Sequence, residues 1–214
     1  MRVRADRVAV TGAHGPLLRA TSLEVGPGEL AVVAGDPRAG HTPFALAVTG
    51  RITPSSGEVR PAGADLRARS APVDSPGVSE PEGALPTADV VAEELALAGL
   101  RSRRADVRQV LDAHGLAART RFEDVAPAAR TALLADLAAR RPGVELLVLD
   151  TPDRHTDDHR DWWDTAVRHA GSGLAVVVLC GTATARALPV TPARLRSVDQ
   201  PAPLTCTDTL VVTP

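Results

Sequence analysis

Apolar positions along this 214-residue chain fall into two kinds of pattern. Ala31-Val32-Val33-Ala34, Leu146-Leu147-Val148-Leu149 and Leu174 to Cys180 are short and continuous, the form of strands buried on both faces. Ala88 to Gly99, Asp106 to His114 and Ala126 to Arg141 instead space Val and Leu at helical intervals with Arg and Asp between them, and a further helix is predicted near Asp158 to Ala170. Val3 to Val10 and Leu17 to Val25, with the residues up to about 62, predict an antiparallel β portion. Strands and helices alternate in the second half, which favours a parallel sheet and an α/β fold. Residues 63–87 are rich in Pro, Gly, Ser and Ala and predict a connecting loop. The segment Leu188 to Pro214 carries five prolines and one strand candidate, Leu210 to Val212, and is expected to be a loosely attached tail.

One junction carries candidate chemistry. The run at 31–34 passes through Gly35-Asp36-Pro37-Arg38-Ala39-Gly40-His41-Thr42 into the apolar helix Phe44-Ala45-Leu46-Ala47-Val48. A glycine-bounded loop between strand and helix is the context a phosphate cradle requires, because backbone N–H groups and the positive end of a helix dipole then face an anion. The spacing G-x-x-x-x-G is a weak signal alone. Such loops also need a lysine; this one has His41, and the chain contains no lysine at all.

The flanks sharpen the reading. Gly26-Pro27-Gly28-Glu29 precedes the strand, Thr53-Pro54-Ser55-Ser56-Gly57-Glu58-Val59 follows the helix, and Leu146 to Asp150 runs on as Thr151-Pro152-Asp153-Arg154-His155-Thr156-Asp157. In this order and spacing the segments resemble the ATP-binding subunits of ABC transporters over roughly residues 3–187. The resemblance implies a P-loop NTPase-like α/β core with a mixed or parallel sheet, an N-terminal antiparallel β portion and a small helical subdomain at about 81–141. It divides the chain into an ABC-type ATP-binding domain at 1–187 and a Pro-rich tail at 188–214. ATP and magnesium are the implied cofactors. Gly35, Arg38, Ala39, Gly40, His41 and Thr42 correspond to the phosphate loop, and Thr42 and Asp150 to the magnesium-binding hydroxyl and carboxylate. Glu80, in Gly77-Val78-Ser79-Glu80-Pro81, corresponds to the loop glutamine; a carboxylate there can touch the metal but repels phosphate, and the other reading is a solvated surface glutamate. Such domains pair head to tail around ATP and work with a membrane permease, so the implied partners are a permease and a second ATPase subunit, as a homo- or heterodimer.

Measured against that pattern, the chain is degenerate. Arg38 replaces a glycine where φ > 0 is needed, His41 replaces the lysine, and Pro43 removes an N–H from the cradle. Thr151 stands where the family has the catalytic glutamate, and a threonine hydroxyl is no base at neutral pH. Gly181 falls near the position of the histidine that contacts the γ-phosphate; the last histidine of the chain is His169. The signature loop maps to Phe122 to Arg130, yet no glycine lies between Gly115 and Gly143. Of Thr11 to His14, where an aromatic should stack on adenine, only His14 has a ring, and a lone exposed histidine is ordinarily solvated. Asp157 matches the D-loop aspartate. The expectation is a subunit with weakened Mg-nucleotide binding and impaired hydrolysis that supports or regulates a transporter. Two alternatives stay open: a non-catalytic interaction or scaffold protein with a vestigial nucleotide site, and an enzyme that uses Asp153 or His155 as base.

Composition changes the picture in three places. A formal net charge of −2 gives no reason to expect nucleic-acid binding. All 24 basic residues are arginine, and lysine, asparagine and tyrosine are absent, as a GC-rich coding sequence produces, so part of the missing lysine reflects composition. Cys180 and Cys206 have no CxxC spacing and are expected to be ordinary buried or semi-buried thiols. With neither a secretion signal nor an apolar run of spanning length, the protein is expected to be cytoplasmic, peripheral to the inner face of the membrane where a permease holds it.

Overall fold

A computed structural model describes residues 1–206. The strand candidate Leu210 to Val212 lies outside the described residues.

The N-terminal portion is a three-stranded antiparallel sheet in the order β2-β1-β4, built from β1 (Val3–Gly12), β2 (Gly15–Val25) and β4 (Ser56–Arg60). The larger sheet runs β5 (Ser70–Val73), β6 (Leu146–Asp150), β7 (Ala175–Gly181), β3 (Glu29–Gly35), β8 (Ala193–Arg194), with β9 (Leu204–Thr205) antiparallel on β3. All its other pairings are parallel.

Side-chain alternation explains why these strands read as continuous apolar runs. Leu30, Val32, Ala34, Leu147, Leu149, Val176, Val178 and Cys180 point into one core, shared with α3 (Thr87–Leu97), α4 (Arg104–Ala113), α5 (Pro127–Ala139) and α6 (Arg160–Gly171). Ala31, Val33, Leu146, Val148, Ala175, Val177 and Leu179 point the opposite way, into a core closed by α1 (His41–Val48) and the antiparallel sheet. A strand covered on both faces has no polar side to display.

Two parts of the sequence reading are corrected. Residues 63–87 hold a short helix, α2 (Gly63–Ala68), and the strand β5, where a loop was expected. Pro72 sits in β5, an edge strand paired only to β6, where a missing N–H breaks no ladder. The second correction concerns the segment after Leu188. Up to Cys206 it supplies β8 and β9 along the free edge of β3, so this described part is built into the sheet rather than loosely attached. Two-residue strands of this kind leave no periodic signal in sequence.

The elements converge on one rim. The C-terminal ends of β3, β6 and β7 carry Gly35, Asp150 and Gly181, and Gly35 and Gly181 are register partners.

Candidate functional site

Residues 36–40 form the crook between β3 and α1. Ala39 N–H donates to the Asp36 carbonyl at 2.9 Å and closes the turn, and Phe44 N–H donates to the Gly40 carbonyl at 2.9 Å. The N–H groups of Gly40, His41 and Thr42 have no acceptor among the described residues, and α1 has no side-chain cap. These are the free donors that a helix start offers an anion. Gly40 is obligatory here. Its φ is 106°, and a Cβ would sit 2.6 Å from the Leu17 carbonyl oxygen. Arg38 adopts φ 65°, the left-handed conformation that costs a non-glycine residue about 1 kcal/mol.

His41 does not take the place of a lysine. Its Nε2 lies 3.1 Å from the Cys180 carbonyl, which only accepts, so that nitrogen holds the proton and donates it to the backbone of β7. The ring also lies over Gly35, where an added Cβ would meet Nε2 at 2.9 Å and the Ala39 Cβ at 2.9 Å. The donor that sequence reasoning assigned to phosphate is thus spent on the protein itself.

Opposite the crook stands Asp150, 1% exposed, with neither carboxylate oxygen hydrogen-bonded. Ser75 Oγ, likewise fully buried, also has no partner. Burial raises the Asp150 pKa above the ordinary carboxylate value; the Thr42 and Ser75 hydroxyls and the charges of Arg154 and His41 oppose the rise. Unpartnered hard oxygens in one buried place fit a magnesium ion's demand for oxygen ligands. Thr42 and Asp150, separated by 108 positions in sequence, are brought together. Ser75 was missed. It follows β5 by two residues, and with β5 unrecognised nothing in the sequence marked it.

Glu80 is not the third member of this group. Its carboxylate is 3.2 Å from Arg154 Nη2 and 3.8 Å from Arg130 Nη2, in a second cluster around Asp74. There Arg130 Nε and Nη2 donate to the two Asp74 oxygens at 2.8 and 2.7 Å, Arg154 Nη2 approaches at 2.9 Å and His155 Nε2 at 3.2 Å. Burial works to raise the Asp74 pKa, and the hydrogen bonds from Arg130 and His155 with the charges of both arginines outweigh it, so it lies well below the usual range. The Arg130 guanidinium also stacks 4.6 Å over the Phe122 ring. Arg154 joins the two clusters, because its Nη1 donates to the Asp150 carbonyl at 2.7 Å.

The remaining sequence candidates are committed elsewhere. Thr151 has φ 53°, and its hydroxyl donates to the Asp150 carbonyl at 2.7 Å. Gly181 N–H and the Thr184 hydroxyl donate to Asp153 Oδ2 at 2.7 and 2.8 Å, and His155 Nε2 lies 3.2 Å from Asp74 Oδ2. Thr182, next to Gly181, donates from its hydroxyl to Asp36 Oδ1 at 2.7 Å, closing one side of the crook. The Phe122 to Arg130 stretch forms a short 3-10 turn and the start of α5, where Pro127 occupies the first turn and no side chain caps the helix. His14 and Asp157 are exposed. Both cysteines are buried, and burial with the Asp153 charge pushes the Cys180 thiol up to about 12, which leaves it inert.

The proteins of known structure to which the chain is similar include three ATP-binding proteins. A protein from Pyrococcus furiosus described as an ABC transporter ATP-binding protein superposes with a TM-score of 0.66 at 12% identity, over 91% of this chain and 96% of that one. An ATP-binding subunit of an ABC transporter gives a TM-score of 0.61 at 15% identity, over 94% and 90%. A nucleotide-free ATP-binding cassette from an ABC transporter gives 0.60 at 14%, over 84% and 81%. No protein-family model and no curated protein sequence matches. At these identities the likeness establishes the fold, which is that of ABC-type ATP-binding subunits. No helix among the described residues is long and apolar enough to cross a membrane.

Proposed function

We propose that this chain is an ABC-type ATP-binding subunit that holds Mg-nucleotide weakly, hydrolyses it slowly or not at all, and supports or regulates a membrane transporter. The observation that carries this reading is the Asp150 carboxylate, buried and unpartnered beside Thr42, across from a crook whose N–H donors are free. A buried carboxylate without hydrogen bonds destabilises a fold, and a bound cation is what offsets that cost. Thr42 and Asp150 would hold the ion, which supplies charge to the phosphate oxygens; the loop amides and Arg38 would receive the phosphates.

Impaired hydrolysis follows from what the other side chains do. The side chains at and beside the catalytic position are engaged with the protein: Thr151 donates to backbone, Asp153 accepts from Gly181 and Thr184 through Oδ2, and His155 lies 3.2 Å from Asp74. On this reading the partners are a permease and a second ATPase subunit, at the inner face of the membrane. Mg-ATP titration under thermal unfolding, together with a phosphate-release assay, tests it. A rise in midpoint with turnover far below that of intact ABC ATPases is expected, since a ligand that binds only the folded state must stabilise it. Comparable turnover would refute the impairment.

One observation favours a second reading, a protein–protein scaffold with a vestigial site. His41 and Ala39 crowd the space over Gly35, as in a loop that has closed on itself. An unchanged unfolding midpoint at millimolar Mg-ATP would favour it.

A further inference from the structure

The segment after β8 grips the crook from behind. Leu195 N–H donates to the Ala34 carbonyl at 2.9 Å, Arg196 N–H to Thr21 Oγ1 at 2.8 Å, and the Ser197 carbonyl accepts from Ser22 N–H at 3.0 Å. These bonds pin the backbone between β2 and β3. From that anchor the Arg196 guanidinium reaches the loop: Nη2 donates to the Arg38 carbonyl at 2.7 Å, and Nε points to the Ala39 carbonyl at 3.4 Å. Leu195 lies behind Gly35, where an added Cβ would meet its Cδ1 at 2.7 Å.

We propose that Arg196 is a positioning residue for the phosphate crook, one that sets which way the loop peptides face. A trans peptide points its C=O and N–H in opposite directions. Holding the Arg38 carbonyl toward Arg196 turns the Ala39 N–H away from it, into its bond with Asp36. Holding the Ala39 carbonyl the same way turns the Gly40 N–H toward the open side, with the free donors of His41 and Thr42. In a loop without lysine, backbone donors carry more of the phosphate grip, so their orientation matters more. Arg196 itself adopts φ 65°, a strained backbone for arginine that the bonds to Thr21 and Ala34 hold in place. Its effect on ligand rests on the nucleotide reading above; its effect on loop geometry does not.

The test compares the full chain with Arg196→Gly and Arg196→Lys. Glycine keeps φ 65° without strain, so the first variant removes the guanidinium and leaves the strap backbone intact. Amide hydrogen exchange is read without nucleotide at Ala39 and Gly40, and Mg-ATP affinity is read by calorimetry. Loss of one exposed, charge-assisted hydrogen bond and a weaker neighbour predicts about fivefold faster exchange at Ala39 and about fivefold weaker Mg-ATP binding in Arg196→Gly. Arg196→Lys, a point charge that serves one carbonyl, should fall between. Unchanged exchange at Ala39 and Gly40 overturns the proposal, as does unchanged affinity in a protein that binds Mg-ATP. Faster exchange in Arg196→Gly, with no Mg-ATP binding by the wild type, upholds the positioning role and refutes the nucleotide reading instead.

Discussion

Replacing Asp150 with asparagine should stabilise the nucleotide-free protein and abolish its response to Mg-ATP. The carboxylate is 1% exposed, ends a strand buried throughout, and has no hydrogen bond on either oxygen. Its folded-state pKa is raised by burial, so ionising it at neutral pH opposes folding; that group adds stability only below its unfolded value and loses it as pH rises through the folded value. Asparagine has nearly the same shape and no charge, and its amide N–H is available to the Ser75 and Thr42 hydroxyls. Relief of a buried, unpaired charge is worth about 2 kcal/mol, taking the lower part of the range for buried unsatisfied polar groups. For a chain of this length that corresponds to a rise of about 4–8 °C in Tm. The assay is thermal unfolding of wild type and variant at pH 7.5, with magnesium alone, with Mg-ATP, and with neither. The wild type should gain midpoint with Mg-ATP and the variant should not, because asparagine cannot offer the ion a charged ligand. An Asp150→Asn protein less stable than wild type that still responds to Mg-ATP would refute the reasoning, since the carboxylate would then be neither strained nor a ligand.

Three further outcomes are expected. His41→Lys frees the chain from the Cys180 carbonyl and supplies the missing charge; a charged hydrogen bond to phosphate should tighten Mg-ATP binding about tenfold in a calorimetric titration. Asp74→Asn keeps a residue that tolerates the φ of 55° and leaves Arg130 and Arg154 with only the more exposed Glu80 as a shared carboxylate, which should cost about 3 kcal/mol in urea unfolding at pH 7. Because the Asp74 pKa is depressed, that contribution is present above its unfolded value near 3.8 and disappears as pH falls through the folded value, so the two proteins should converge in acid. Glu94 has the opposite sign: burial, with Glu93 and Asp74 nearby, pushes its pKa from 4.5 up to about 7, so its contribution is full below pH 4.5 and is lost as pH rises through 7. Glu94→Gln should therefore be about 1–2 kcal/mol more stable than wild type at pH 8 and no more stable at pH 4, as chemical unfolding at the two pH values would reveal.

The sequence by itself determined the parts of this protein in which neighbouring residues suffice. Continuous apolar runs at 31–34, 146–149 and 174–180 specify strands buried on both faces, because a chain covered on each side has no use for alternation. Helical spacing located α3 to α6, and the glycine-bounded turn marked the crook between β3 and α1. Tertiary structure decided the rest. Whether His41 faces phosphate or the Cys180 carbonyl depends on how β7 lies beside β3, and Ser75 becomes a neighbour of Asp150 only once β5 pairs with β6. That Glu80 meets Arg130 and Arg154 is likewise a tertiary fact, because spacing along a loop does not reveal which side of it faces them. Residues 193–197 lie more than 150 positions from the loop they hold, and a segment of five prolines and a two-residue strand has no period to read. Local pattern encodes which segments are buried; which polar atoms then meet across the sheet is fixed by the packing of distant segments, and that is where the chemistry of this site resides.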